Sequence, residues 1–329
     1  MVIIAVESSG GSKMLKLCSL SILIISAMAV LSSRAWGGID MEKLKPDQKI
    51  AAFEVENIYE NDSGKAMGTR LRHIPSGFVL DLLRIQSVPQ AFMWVNAFPP
   101  SDKGEPHTCE HLMLGKGTRG RYVASLEQML LGNSSAYTGQ LQTCYHYHTA
   151  AGTDAFFQLM EAKLNAFVHP NFSDEDIRRE VCNMGYQIDP ADSSIELEEK
   201  GTVYNEMVSS FERPWAVLDR QMGLMLYGPG HPLANESGGF PDSIRSMVPA
   251  DMRRFIERNY HLSNMGMIVS IPDDIKLDDF IKHLSDMMAR IEPTAKPGVD
   301  PATADEHLPP PQSATLGTTK LVEFPSQNE

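Results

Sequence analysis

The sequence predicts an α+β fold, a mostly antiparallel sheet with helices packed on one face. Three observations lead there. Four runs rich in Val, Ile, Leu and aromatic residues fall between positions 53 and 98, separated by turn residues. Two long segments, 153–168 and 275–291, are read as helices, and in the first the apolar residues recur at the helical period. A further strand-like run, 264–270, lies between helical segments and far from the first four. Strands first, then helices with later strands, is the order of an α+β domain.

Taken in order, residues 38–50 are polar and extended. Strands follow at 53–60, 67–73, 78–85 and 90–98, with Asp62-Ser63-Gly64 and Pro75-Ser76-Gly77 as turns. Phe98-Pro99-Pro100 ends the last of them, and 101–106 leads into a helix that Gly115 and Gly117 stop. A short helix spans 122–131, with Leu126, Met129 and Leu130 apolar, and two strands lie at 134–140 and 143–150. In 153–168 the apolar positions are Phe156, Leu159, Met160, Leu164 and Phe167. Ser173 is an N-cap, with Asp176 in the capping-box place, for a helix running to 186. After a loop at 189–194 the sequence reads as one helix over 195–211, then a helix at 249–260, the strand at 264–270 and the helix at 275–291.

Composition bounds the function. The chain has 329 residues, 42% hydrophobic and 22% charged, enough for a sizeable core. A net charge of -13 argues against a nucleic-acid partner. Residues 1–37 read as an export signal: Lys13 and Lys16, an apolar run over 17–31, then small residues. The expected location is periplasmic or secreted, with a membrane anchor as the alternative if the signal stays uncleaved. The expected organisation is an extended segment at 38–52, a main domain at 53–292, a Pro-rich linker at 293–317 and the start of a second domain at 318–329, with a strand at 319–324. Of four cysteines, Cys18 falls in the signal, leaving Cys109, Cys144 and Cys182, an odd count that leaves a free thiol. Cys109, beside the residues discussed next, is the thiol whose modification would matter most.

Those residues are His107-Thr108-Cys109-Glu110-His111. On a helix, positions i and i+4 share a face with i+3 beside them. Two imidazoles can then hold one ion while the carboxylate between them handles a proton, which is the H-x-x-E-H pattern of zinc peptidases. A third ligand is needed, and Glu180, Glu196, Glu198, Glu199 and Glu206 are all candidates that spacing does not separate. His146 and His148 share a strand face and read as structural, as do His169, His231 and His261.

The pentapeptide followed by Val203-Tyr204-Asn205-Glu206-Met207 resembles the pitrilysin/insulysin zinc metallopeptidases, nearest to the presequence-protease and falcilysin branch. The segments Asn235-Glu-Ser-Gly-Gly239-Phe-Pro-Asp, Phe255–Asn264 and Thr319–Pro325 extend the resemblance over about 53–325. It implies His107, His111 and Glu206 as ligands of one Zn2+ per chain. It implies Glu110 as general base for hydrolysis of short or unfolded peptides by a metal-activated water. Glu199, two helical turns before Glu206 on one continuous helix, becomes a candidate to orient a ligand histidine. The stretch Asn133–Thr138 resembles the family's edge strand, where substrate adds as an extra strand, so Asn133, Ser135 and Ala136 are candidate substrate contacts. The resemblance further implies that a C-terminal half or partner subunit completes the peptide chamber. The alternative is a catalytically silent or partner-dependent peptide-binding subunit of the same family.

Overall fold

The computed structural model describes residues 39–294, 308–312, 317 and 319–324. The export signal and most of the expected linker lie outside the described residues. The centre of the molecule is an eight-stranded sheet. Its strands are β1 (Lys49–Ile50), β2 (Phe53–Glu60), β3 (Ala66–His73), β4 (Val79–Arg84), β5 (Gln90–Asn96), β6 (Gly132–Thr138), β7 (Gln142–Thr149) and β10 (Met265–Ile271). The order is β1-β2-β3-β4-β10-β5-β7-β6. Every pairing is antiparallel except that of β10 with β4. A late strand thus inserts at the middle of an early meander, which is why 264–270 stood apart in the sequence.

Alternation along the strands sets the two faces. Ala91, Met93 and Val95 of β5 are fully buried while Phe92 between them is exposed. On β7, Tyr147 stacks on Phe156 at 5.1 Å and Tyr145 packs on Phe167 at 4.4 Å, both partners belonging to α3 (Thr153–Val168). Beside α3 lies α9 (Leu277–Ile291), whose stripe of Phe280, Ile281, Leu284, Met287 and Met288 is buried. Gly266 of β10 sits opposite Trp94, and a Cβ there would come within 2.0 Å of the indole, so only glycine fits.

The other helices are α1 (Glu105–Met113), α2 (Gly117–Met129), α4 (Asp174–Val181), α5 (Thr202–Phe211), α6 (Pro214–Tyr227), α7 (Pro241–Ile244) and α8 (Pro249–Asn259). Most expected elements stand within a few residues of their predicted bounds, but the region between α4 and α5 differs. The helix expected to reach 186 ends at Val181, and the one expected over 195–211 begins at Thr202. Between them is a separate hairpin of β8 (Asn183–Ile188) and β9 (Ile195–Lys200). The period explains it: Met184, Tyr186 and Ile188 alternate with polar residues, as do Ile195 and Leu197, across a turn closed between Asp189 and Ser194. A glutamate-rich stretch with good helix propensity was overridden by period-two pairing. α6 went unrecognised, and Trp215, Leu218, Met222 and Leu226 leave an apolar stripe exposed. Residues 319–324 form no strand, and 38–50 includes a 3-10 turn (Met41–Lys43) as well as β1.

Candidate metal centre

α1 carries His107 and His111 one turn apart, with their rings edge to face at 4.7 Å. α5 brings Glu206 over them. His107 Nε2 lies 3.6 Å from Glu206 Oε1, and His111 Nε2 lies 3.5 Å from Glu206 Oε2. One donor atom from each of the three lies within 4.8 Å of the others, the single such group of three or more among the described residues. His107 is buried, His111 is part-buried and Glu206 faces solvent, leaving an open side.

What orients the rings follows from their second nitrogens. His107 Nδ1 is 3.3 Å from the carbonyl of Gly238, which can only accept. His111 Nδ1 is 3.2 Å from Glu180 Oε2, whose other oxygen is 2.7 Å from Lys116 Nζ. Burial raises the Glu180 carboxyl, but hydrogen bonds from His111, Lys116 and Thr202 and the Lys116 charge outweigh it and hold it at about 2. It is therefore an anion and an acceptor at neutral pH. In its neutral form each imidazole then carries its proton on Nδ1, which leaves two Nε2 lone pairs converging on the Glu206 carboxylate. Two nitrogens, one carboxylate and an open side suit a catalytic zinc ion. The Glu180 hydrogen bond pushes the pKa of His111 upward, so protons compete with a cation there as pH falls.

The loop supplying the Gly238 carbonyl is held tightly against the start of α1. Gly104, at φ 76°, is the N-cap, and a Cβ on it would meet the Gly238 oxygen at 2.5 Å. Asp102 adds a bidentate pair with Arg220 of α6, 2.8 Å for each bond, and accepts from the Glu236 N–H at 2.8 Å.

Glu110 is buried, and its Oε2 accepts from Thr138 Oγ1 at 2.5 Å. Thr138 ends β6, which pairs only with β7 and forms the edge of the sheet. Of the residues expected there, Ala136 shares its face of β6 with Thr138, whereas Asn133 and Ser135 are exposed on the opposite face. The edge strand and the Glu110 carboxylate are thus in direct contact. Thr138 lay inside the stretch read as an edge strand, but nothing in its spacing marked it as a partner of Glu110.

Glu199 does not reach the histidines. It sits on β9, not on a helix with Glu206, and its Oε2 accepts from Tyr204 at 3.0 Å and Arg245 at 2.7 Å. Glu180 holds the histidine instead. Glu196 and Glu198 lie on the hairpin and are exposed or nearly so. Cys109 also departs from expectation: it is fully buried, burial pushes its thiol well up, and its neighbours are Tyr260 and Tyr145, themselves joined at 2.7 Å. It faces the core, not the metal centre. His146 lies 3.3 Å from Gln90 Oε1 and 5.5 Å, ring to ring, from His148, a pair without a third ligand among the described residues. His169 and His231 each meet a backbone carbonyl at 2.7 Å, and His261 meets that of Arg258 at 2.9 Å, as structural histidines do.

Residues 98–212, which include His107, His111 and Glu206, match the family profile of insulinase, peptidase family M16. A mitochondrial presequence protease of Aspergillus oryzae is 28% identical over 202 residues, 58% of this chain and 19% of that protein. An uncharacterized protein of Saccharomyces cerevisiae is 29% identical over 237 residues, 70% of this chain and 22% of its own length. The chain therefore spans about a fifth of the length of these relatives. The crystal structure of pitrilysin shares the fold, with a TM-score of 0.56 at 18% identity over 76% of this chain and 26% of that one. Over residues 98–212 the chain matches the insulinase family of peptidases, M16, and over more than half its length it is similar to presequence protease.

Proposed function

We propose that the chain carries the catalytic centre of an exported zinc endopeptidase acting on short or unfolded peptides. The observation that carries this reading is the convergence of His107 Nε2, His111 Nε2 and Glu206 beside a buried carboxylate held at the sheet's free edge. Export rests on Lys13, Lys16 and the apolar run over 17–31. When bound, zinc supplies a Lewis acid that acidifies water and polarises the scissile carbonyl.

The residues present do the rest. A peptide laid along β6 pairs its backbone with the unpaired edge, which makes binding tolerant of sequence. Thr138 occupies Oε2 of Glu110, so the proton of the attacking water is taken at Oε1 and later passed to the leaving amine. Glu180 and Gly238 fix the rings so that neither nitrogen facing the ion carries a proton.

Metal analysis paired with cleavage of an internally quenched peptide tests this. The chain should purify with stoichiometric zinc, lose it in His107→Ala, and show cleavage that depends on it. Zinc-free wild type after purification in zinc-containing buffer would end the reading. Stoichiometric zinc without cleavage of any peptide would favour the silent or partner-dependent peptide-binding subunit.

A further inference from the structure

A cavity of about 1070 Å³ opens on the other side of α1 from the metal centre. It lies among the end of β5, residues 98–103, the first turn of α1 and the outer face of α8. Glu105, which lines it, is turned about half a circle around the helix from His107, so the two sites are separated by the helix itself. The volume is that of a generous ligand pocket, typically about 300–1,000 Å³.

Three features of the lining define what would fit. The walls are apolar: Phe98, Pro99, Pro100, Leu141 and Phe255. The mouth is cationic. Lys103 and Arg254 both pair with Asp251, so two cations share one carboxylate. Arg258, one turn further along α8, makes no ion pair with any described residue although it lines the same cavity. Glu105 is 4% exposed; its Oε1 accepts from Ser101 at 2.6 Å, but its Oε2 is buried without a hydrogen-bond partner among the described residues. A buried carboxyl oxygen without a donor is costly and rare in folded proteins.

We propose that this cavity binds the free carboxylate end of a short apolar peptide. The carboxylate is taken by Arg254 and Arg258 at the mouth, the terminal side chain by Phe98, Pro100 and Phe255, and a peptide N–H donates to Glu105 Oε2. The carboxylate answers Arg258, which has no ion pair among the described residues, and the peptide N–H answers Glu105 Oε2. A phosphate-rich ligand fits poorly, because Asp251 and Glu105 face the same space. The site needs no metal and does not depend on the peptidase reading.

Isothermal titration of the whole chain, stripped of metal by a chelator, tests it. N-acetyl-Leu-Phe with a free carboxylate is the probe, and its C-terminal amide is the control. The acid is expected to bind, and the amide to bind about tenfold more weakly, the loss of one charge-assisted contact. Arg258→Glu, on an exposed helix position, should weaken the acid by a similar factor and leave the amide unchanged. Adding zinc should change neither. No binding of the acid, equal binding of acid and amide, or insensitivity to Arg258→Glu would overturn the proposal. A requirement for zinc would place the binding at the metal centre and overturn it as well.

Discussion

The two sides of α1 have opposite chemistry within one turn of sequence. On one side His107, Glu110 and His111 each touch a partner brought from elsewhere in the chain: Gly238, Thr138 and Glu180. On the other, Thr108 and Cys109 are buried in the core and Glu105 is buried beside the cavity, and Glu105 Oε2 and Thr108 Oγ1 have no hydrogen-bond partner among the described residues. Cys109 and Glu110 are adjacent in sequence, yet one is a buried thiol beside Tyr260 and the other a carboxylate held by Thr138 at the sheet's edge. A helix turns about 100° per residue, so adjacency in sequence says little about shared environment. What distinguishes the sides is whether other elements supply complementary groups.

The largest effect should come from the polar side. Glu110→Gln keeps the shape and the Thr138 contact but cannot accept the proton. Peptide cleavage is expected to fall by about 10²–10⁴-fold, the usual worth of a general base, with zinc content unchanged. Turnover near wild type in a zinc-replete Glu110→Gln protein would remove Glu110 from the chemistry.

Next in size is the partner of His111. Glu180→Ala should lower zinc affinity by roughly 10–100-fold, because the ring loses both its orientation and the acceptor that fixes its tautomer. Competition with a chromogenic chelator measures this. Glu199→Ala, which removes bonds only to Tyr204 and Arg245, should leave zinc affinity unchanged. The reverse ranking would mean that the hairpin, not α4, supports the metal centre.

That pair of variants also marks where the sequence was legible. The histidine pair is visible from spacing, because i and i+4 always share a helix face. The sheet was legible because its buried strands alternate, as in Ala91, Met93 and Val95. Glu206 had no spacing signal and was chosen by resemblance alone. Glu180 was on the same footing as its rivals, since nothing local tells that α4 ends under His111. Glu199 was misplaced because Glu196–Glu199 has helix-like composition, while the alternation that makes it a strand shows only when paired with 184–188. Thr138, Glu180 and Gly238 act across separations of 28, 69 and 131 residues, and no local pattern encodes such meetings.

A smaller effect separates the thiols. Brief maleimide treatment of the native chain should label Cys182, which is part-exposed, and spare Cys109, which is buried. Mass spectrometry of the peptides reads both. Prompt labelling of Cys109 would show that the inner side of α1 opens, and the contrast between the two sides would be one of degree.

The smallest effect tests the inner side through its one carboxylate. Burial raises the pKa of Glu105 above its ordinary 4.5, only partly opposed by the Ser101 hydrogen bond. An acid whose folded pKa is raised binds more protons folded than unfolded, so its contribution to stability is present at low pH and lost as pH rises through the folded value. At neutral pH the buried charge is a cost, which the favourable place of an acid in the first helical turn reduces but does not cancel. Glu105→Gln keeps an acceptor for Ser101 and carries no charge. It should melt at a higher temperature than wild type at pH 7, and the difference should close as pH falls below 4.5. A melting difference that is constant from pH 4 to pH 7 would mean that Glu105 does not change charge over that range, and the burial argument for its raised pKa would fail.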